Sequence, residues 1–286
     1  MSAYLGRFAP SPSGPLHFGS LVAALGSFLD ARANQGQWLL RIEDIDPPRE
    51  MPGAAERILR TLEAFGLHWD GQVRYQSAQS ERYDALLAQL RRDGLIYPCA
   101  CTRRQIKVQG LHQRNHCQPV PRGEAAALRF KSDNPVYHYQ DRLLGQVRIP
   151  DQLAREDFVI HRKDGLYAYQ LAVVADDIDQ GITQIVRGSD LLEVTGWQLS
   201  LYQALGAKPC SYLHLPLAVA ANGLKLSKQN HAPAVNDDDP VPALRSALAF
   251  LGQPAPPTDL DRDRLLAFAI DNWQVQAIPR HSQVID

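Results

Sequence analysis

No apolar run in this chain approaches the ~18 residues that a membrane-spanning helix needs. The longest, Leu171 to Ala175 and Leu215 to Ala221, stop far short, so no membrane association is expected. No basic and apolar leader precedes the strand-like segment that follows Met1-Ser2-Ala3, and a cytoplasmic location is the expectation. Excess charge is also missing. A formal net charge of −1 neither requires nor forbids a nucleic-acid partner, because phosphate binding depends on a local basic patch. Cysteine is scarce. Four thiols in a reducing compartment do not make a disulfide scaffold, but Cys99, Cys101 and Cys117 cluster in a way that points to a metal. Cys210 stands alone, as a core thiol. No internal repeat occurs. What is present, 45% apolar and 21% charged residues over 286 positions, suits one substantial globular domain with appendages.

The opening reads as a strand (Tyr4 to Phe8), a Pro/Ser/Gly loop, and a helix from about His17 with apolar positions at Phe18, Leu21, Val22, Leu25, Phe28 and Leu29. Gly36 is a stop signal, and Gln37 to Ile42 forms a second apolar strand. Strand, helix and strand in this order imply a parallel sheet and a Rossmann-like α/β fold. Amphipathic helices follow at Gly53 to Phe65 and Ser80 to Asp93, the second opening on a serine cap. From Arg122 to about Asp164 short strands (Ala127 to Phe130, Gln146 to Ile149, Asp157 to His161) alternate with Pro and Gly. Helical periodicity returns near Tyr169, a strand is expected at Gln184 to Val186 and a helix from Asp190 to Leu205. Leu215 to Ala220 reads as a strand turning at Asn222-Gly223, and the final helices are Val241 to Leu251 and Asp261 to Ile270. The expected divisions are 1–97 and 165–214 for the two halves of the catalytic body, 98–122 for a metal loop, 123–164 for an inserted β-rich unit, and 215–286 for a lysine loop with a helical C-terminal region.

Two segments carry the chemistry. Pro10-Ser11-Pro12-Ser13-Gly14-Pro15-Leu16-His17-Phe18-Gly19 lies at a strand-to-helix turn, where backbone N–H groups and the helix dipole favour a phosphate. Lys225-Leu226-Ser227-Lys228-Gln229 sets two lysines three apart on a loop. A His-x-Gly triplet alone is as readily a helix cap, and a lone lysine is commonly a solvated one; the specificity lies in the conjunction, order and separation of the two. Together they resemble the two signatures of class I aminoacyl-tRNA synthetases, and the residues around them resemble the glutamyl branch. Ser20 stands where the common motif has a second histidine, which shifts the load to His17. The resemblance spans about residues 3 to 230. It implies an enzyme that uses ATP with Mg2+ to activate an amino acid, with His17, Gly19 and Lys228 catalytic and Lys225 a further ATP contact.

Arg7-Phe8-Ala9-Pro10-Ser11 ends the first strand, at the carboxyl edge where open α/β sheets bind ligands. A guanidinium grips a carboxylate through two parallel hydrogen bonds, which favours glutamate over glutamine. By the resemblance, Glu43 receives the substrate ammonium and Tyr169 and Arg187 complete the glutamate pocket. Which of Arg7 and Arg187 takes which carboxylate stays open. The three clustered cysteines can nucleate a structural Zn2+ loop. The family's fourth ligand is a tyrosine where this chain has Gln113. His112, His116 or water could complete the tetrahedron, or the metal could be lost.

Only residues 230–286 follow the lysine segment, too few for the anticodon-reading body of a full glutamyl-tRNA synthetase. The resemblance is therefore to a truncated member that makes glutamyl-adenylate without tRNA and passes L-glutamate to the queuosine base in the anticodon of tRNA(Asp), with a monomer as the expected state. A minimal enzyme charging a tRNA 3′ end and a non-catalytic tRNA-binding paralogue are the alternatives. Arg103, Arg104 and Lys107 could meet RNA phosphates or be a solvated basic face.

Overall fold

The computed structural model describes residues 3–117, 120–219 and 233–284. In chain order the elements are β1 (Leu5–Phe8), α1 (Phe18–Ala33), β2 (Gln37–Ile42), α2 (Ala54–Ala64), β3 (Arg74–Tyr75), α3 (Ser80–Arg92), β4 (Ile96–Cys99), α4 (Arg103–Gln109), β5 (Ala127–Phe130), β6 (His138–Asp141), β7 (Gly145–Arg148), α5 (Asp151–Ala154), β8 (Val159–His161), α6 (Tyr169–Asp179), β9 (Gln184–Gly188), α7 (Thr195–Ala204), β10 (Ser211–Leu215), β11 (Ala218–Val219), α8 (Pro240–Phe250), α9 (Arg262–Asp271) and β12 (Gln283–Val284).

The expected βαβ opening is present. β1 and β2 pair in parallel, with Leu5 opposite Gln37 and Phe8 opposite Leu40, and β2 pairs in parallel with β3. Beside them, β9, β10 and β6 run in parallel register, and β7 closes the edge antiparallel to β6. β1 is set against β9 where the Thr183 N–H donates to the Leu5 carbonyl at 2.9 Å. Helices cover both faces. α1, α2, α8 and α9 bury one apolar cluster with Leu25, Trp38 and Leu248, while α3, α6 and α7 bury a second with Tyr83, Val173 and Leu201. This is the doubly wound arrangement the sequence implied, with its sheet reversing direction of assembly between β1 and β9. β4, β5 and β8 form a separate antiparallel sheet.

Several local features differ from expectation. Residues 123–164 divide between two sheets: β5 and β8 stay in the small antiparallel one, whereas the β6–β7 hairpin joins the main sheet through Tyr212 opposite Asp141. The strand expected at Leu215 to Ala220 is broken at Pro216, which has no N–H to continue the ladder: Leu215 ends β10, and Ala218 and Val219 form β11. The helix expected from Asp190 begins at Thr195, after a single tight turn at Ser189–Leu191. Ser80 is the first helical residue of α3 and Gln79 the cap. Gly36 serves close packing rather than the turn: Gln35 takes the left-handed conformation (φ 53), and a Cβ on Gly36 would sit 2.7 Å from the Tyr4 carbonyl oxygen. The Asn222-Gly223 turn, Lys225 and Lys228 lie outside the described residues. Beyond them, among the described residues, α8 and α9 pack on α1 and β12 pairs with β11, so this region adds to the main domain rather than forming a separate body.

Candidate active site and metal centre

The carboxyl ends of β1, β9 and β10 open into one cavity of about 900 Å³. Arg7, Phe8, Ala9, Pro10, Ser11, His17, Gly19, Glu43, Tyr169 and Arg187, the glutamate and phosphate residues singled out in the sequence, all line it. Ser13 of the signature loop and Ser20 line it too, as do Arg49, Asp190 and residues 215–218, which had no signal of their own.

At the phosphate end, His17 caps α1 through its ring: Nδ1 accepts the Ser20 N–H at 3.2 Å, and Nε2 lies 3.0 Å from the Ser20 hydroxyl. A nitrogen that accepts carries no proton, so the neutral ring keeps its hydrogen on Nε2 and donates it to Ser20. Ser20, standing where a second histidine is common, thereby fixes the tautomer of the first. The lysine segment is bracketed by described residues that meet this corner. Leu217 and Ala218 form cavity wall on one side, and on the other Ala234 bridges to His17 and the Val235 N–H donates to the Leu16 carbonyl at 3.0 Å.

The amino-acid end holds two arginines in opposite electrostatic states. Arg7 is buried and doubly bonded to Asp177, Nε to Oδ1 and Nη2 to Oδ2 at 3.1 Å each, and Arg41 donates to the same carboxylate at 2.6 Å. Burial alone would raise the Asp177 carboxyl, but these two cations hold it below the usual carboxylate range. Arg187, 5% exposed, has no carboxylate partner among the described residues. Its Nε donates to His214 Nε2 at 3.2 Å and its Nη2 to the Thr195 hydroxyl at 2.7 Å, while Nη1 is buried without a hydrogen-bond partner. An unneutralised buried cation is costly unless an anion arrives to meet it. Arg187 is thus a buried cation without a paired carboxylate among the described residues, and Arg7 is already neutralised.

Glu43 and Tyr169 face the same space. Burial pushes the Glu43 carboxyl up to about 7, with Arg41 and Arg7 opposing the rise. A bound ammonium would favour the ionised form, so binding must expel the proton at lower pH. The expected result is a KM for glutamate that rises by about tenfold per pH unit below pH ~7 while the KM for ATP changes little. Pyrophosphate-exchange kinetics from about pH 8 to about pH 5 would measure it, and a flat glutamate KM would remove Glu43 from ammonium binding.

The second cluster is separate from this cavity. Cys99, Cys101, His112 and Cys117 place their ligand atoms within 4.8 Å of one another. The Cys101 and Cys117 sulfurs are 3.8 Å apart, which matches the ~3.8 Å edge of a tetrahedron with ~2.3 Å Zn–S bonds. His112 is fully buried, its Nε2 3.3 Å from the Cys99 sulfur and its Nδ1 without a protein partner. Burial, then the nearby Arg129, lowers its pKa to about 4, which keeps the imidazole neutral and able to ligate. Burial and the neighbouring thiols push Cys117 up to about 12, the mark of sulfurs that cannot all ionise without a cation among them. Gln113 is turned away, donating to the Arg155 carbonyl at 3.2 Å, and His116 is outside the group of four. The donor set fits zinc, with His112 in the fourth position. Arg129 donates to the Cys99 sulfur at 3.3 Å, and Asp157 ties the loop down by accepting from Tyr97 and from the Arg114 N–H.

The family model for the catalytic domain of class I tRNA synthetases (E and Q) matches residues 5–256. Proteins named glutamyl-Q tRNA(Asp) synthetase are closely similar: that of Serratia proteamaculans is 56% identical over 98% of this chain and 94% of its own length, and that of Escherichia coli K12 is 55% identical over 98% and 92%. Among solved structures, the glutamate-tRNA synthetase of Elizabethkingia anophelis superposes with a TM-score of 0.82 at 24% identity, covering all of this chain and 68% of that one, a likeness of fold. With the signature loop, the cavity and these similarities in agreement, the chain belongs to the glutamyl branch of the class I tRNA synthetases, among the glutamyl-Q tRNA(Asp) synthetases.

Proposed function

We propose that this protein activates L-glutamate with ATP in the absence of tRNA and transfers the glutamyl group to the queuosine base in the anticodon of tRNA(Asp). The observation that supports a carboxylate substrate is Arg187, a buried guanidinium at the cavity wall with no carboxylate paired to it among the described residues. In the first step the α-carboxylate attacks the α-phosphorus of ATP, the bond to the bridging oxygen breaks, and pyrophosphate leaves. Charge grows on the departing oxygens, and His17, Lys225 and Lys228 are the donors we assign to it, with the N-terminus of α1 adding its dipole. Mg2+, bound with ATP, would share that charge. In the second step a hydroxyl of the queuosine cyclopentenediol attacks the acyl carbon, AMP leaves with the electron pair, and the hydroxyl proton is lost to the departing phosphate or to solvent. The proposed substrates are cytoplasmic, and so is the proposed reaction, carried out by a monomer.

Lys228→Ala is expected to slow adenylate formation by about 10²-fold, since one lost transition-state donor typically costs that much. Unchanged exchange kinetics would remove Lys228 from the reaction. Transfer is tested with labelled glutamate on tRNA(Asp) with and without queuosine, followed by nuclease separation of the anticodon arm from the 3′ end. Label in the anticodon fragment of the queuosine-containing tRNA alone supports the reading. Label at a 3′ end would instead favour a minimal charging enzyme.

A further inference from the structure

Arg187 has to carry an unneutralised charge, stay buried and keep one orientation before any substrate binds. We infer that Asp141, His214 and Thr195 form a positioning relay that orients the Arg187 guanidinium and leaves its Nη1 edge for the substrate carboxylate. The inference rests on the glutamate-activating reading and assigns that site three further residues.

Each link in the relay has a fixed direction. Arginine only donates, so His214 Nε2, 3.2 Å from Arg187 Nε, must accept, and the ring proton is on Nδ1. Nδ1 lies 2.8 Å from Asp141 Oδ2 and donates to it. Asp141 is held in turn: its Oδ1 accepts the N–H groups of Leu143 and Leu144 at 2.9 Å each, and its Oδ2 also accepts the His214 N–H at 3.1 Å. These bonds anchor the carboxylate on the far side of His214. The Thr195 hydroxyl donates to the Leu191 carbonyl at 2.8 Å, so its oxygen is left to accept from Arg187 Nη2 at 2.7 Å. The Tyr212 ring provides a flat floor, lying 5.1 Å from the Arg187 carbon and stacked on His214 at an interplanar angle of 6°.

The two groups that hydrogen-bond to Arg187 are both neutral acceptors. A carboxylate at either position would pair with the guanidinium and compete with the incoming substrate, whereas an imidazole and a hydroxyl fix the plane and leave the charge uncancelled. Asp141, one residue further out, sets the histidine tautomer without touching the arginine. All three are positioning residues.

Two substitution pairs separate this role from simple packing. Thr195→Val keeps the shape and removes the acceptor; Thr195→Ser restores it. His214→Leu removes the acceptor toward Arg187; the longer amide of His214→Gln can still offer an oxygen there. Glutamate-dependent ATP–pyrophosphate exchange should give a glutamate KM raised by about tenfold or more in Thr195→Val and His214→Leu, the scale of one lost hydrogen bond to a charged group. Thr195→Ser and His214→Gln should stay near the wild-type value, and the ATP KM should hardly move in any of the four. Thr195→Val serves as the decisive variant should His214→Leu fail to fold. The relay is overturned if the Val variant binds glutamate like wild type, or if the glutamate and ATP KM values rise together. Absence of exchange in the wild-type protein would count against the underlying reading, and indifferent variants of an active enzyme against the relay alone.

Discussion

Replacing Arg187 with methionine should raise the KM for glutamate by about 10²- to 10³-fold, the equivalent of losing a buried charge-assisted pair. The KM for ATP should stay close to wild type. Thermal stability should hold or increase, because methionine fills much of the same volume and removes an unneutralised buried charge, at the smaller cost of one acceptor each on His214 and Thr195. Loss of binding without loss of stability is the signature of a residue maintained for its ligand. Arg7 predicts the reverse balance. Its guanidinium is committed to Asp177, so Arg7→Ala leaves a buried carboxylate with Arg41 as the remaining partner, and destabilisation of about 3–5 kcal/mol is the expected scale. An effect of Arg7→Ala on glutamate binding is therefore interpretable only beside a melting curve. A glutamate KM unchanged in Arg187→Met would contradict the assignment of the cavity to an acidic substrate.

Zinc removal should produce the largest change in local stability. The four Cys and His donors lie at the ends of a segment between β4 and β5 in which α4 is a short helix with basic, solvent-facing residues, and a zinc bound among them would supply order that so small a segment cannot supply by burial. Structural zinc contributes about 10–16 kcal/mol in small zinc-folded units. Elemental analysis should find one zinc per chain, and Cys99→Ser or prolonged chelation should release it and expose residues 100–117 to proteolysis. Adenylate formation should survive within a few-fold, since no residue of this segment lines the cavity. Metal-free protein with an intact, protease-resistant loop would refute the centre. Retention of zinc by His112→Ala at wild-type affinity would remove His112 from the fourth position.

Much of the catalytic body was legible because its signals are local. Phe18, Leu21, Val22, Leu25, Phe28 and Leu29 recur at helical spacing, and the first strand ends on Arg7 and Phe8 at the edge where such sheets bind ligands. β6 escaped because it is four residues long and half exposed, with no apolar run to mark it. β10 was displaced in the reading by the longer apolar stretch around Pro216, which the backbone cannot use as one strand. Support for Arg187 was illegible for a different reason. Asp141, Thr195 and His214 come from β6, α7 and β10, and no spacing in the chain signals that they meet. His112 was visible only as one of several options, since the family's ligand position falls on Gln113, one residue along. Burial of the imidazole against the Cys99 sulfur distinguishes it from His116.

The neutralisation of Arg7 and the unpaired charge of Arg187 also bear on amino-acid discrimination. If Arg187 takes the side-chain carboxylate, glutamine would present it no negative charge, and a buried cation left unpaired would cost several kcal/mol. Discrimination should therefore depend on charge more than on shape.

Glutamate-dependent exchange of labelled pyrophosphate into ATP by the purified protein, with no tRNA present, is the most direct test. Robust exchange with glutamate, little with glutamine or aspartate, and no stimulation by tRNA is the predicted result. Exchange that appears only when tRNA(Glu) is added, or none at all from folded, zinc-loaded protein, would contradict it.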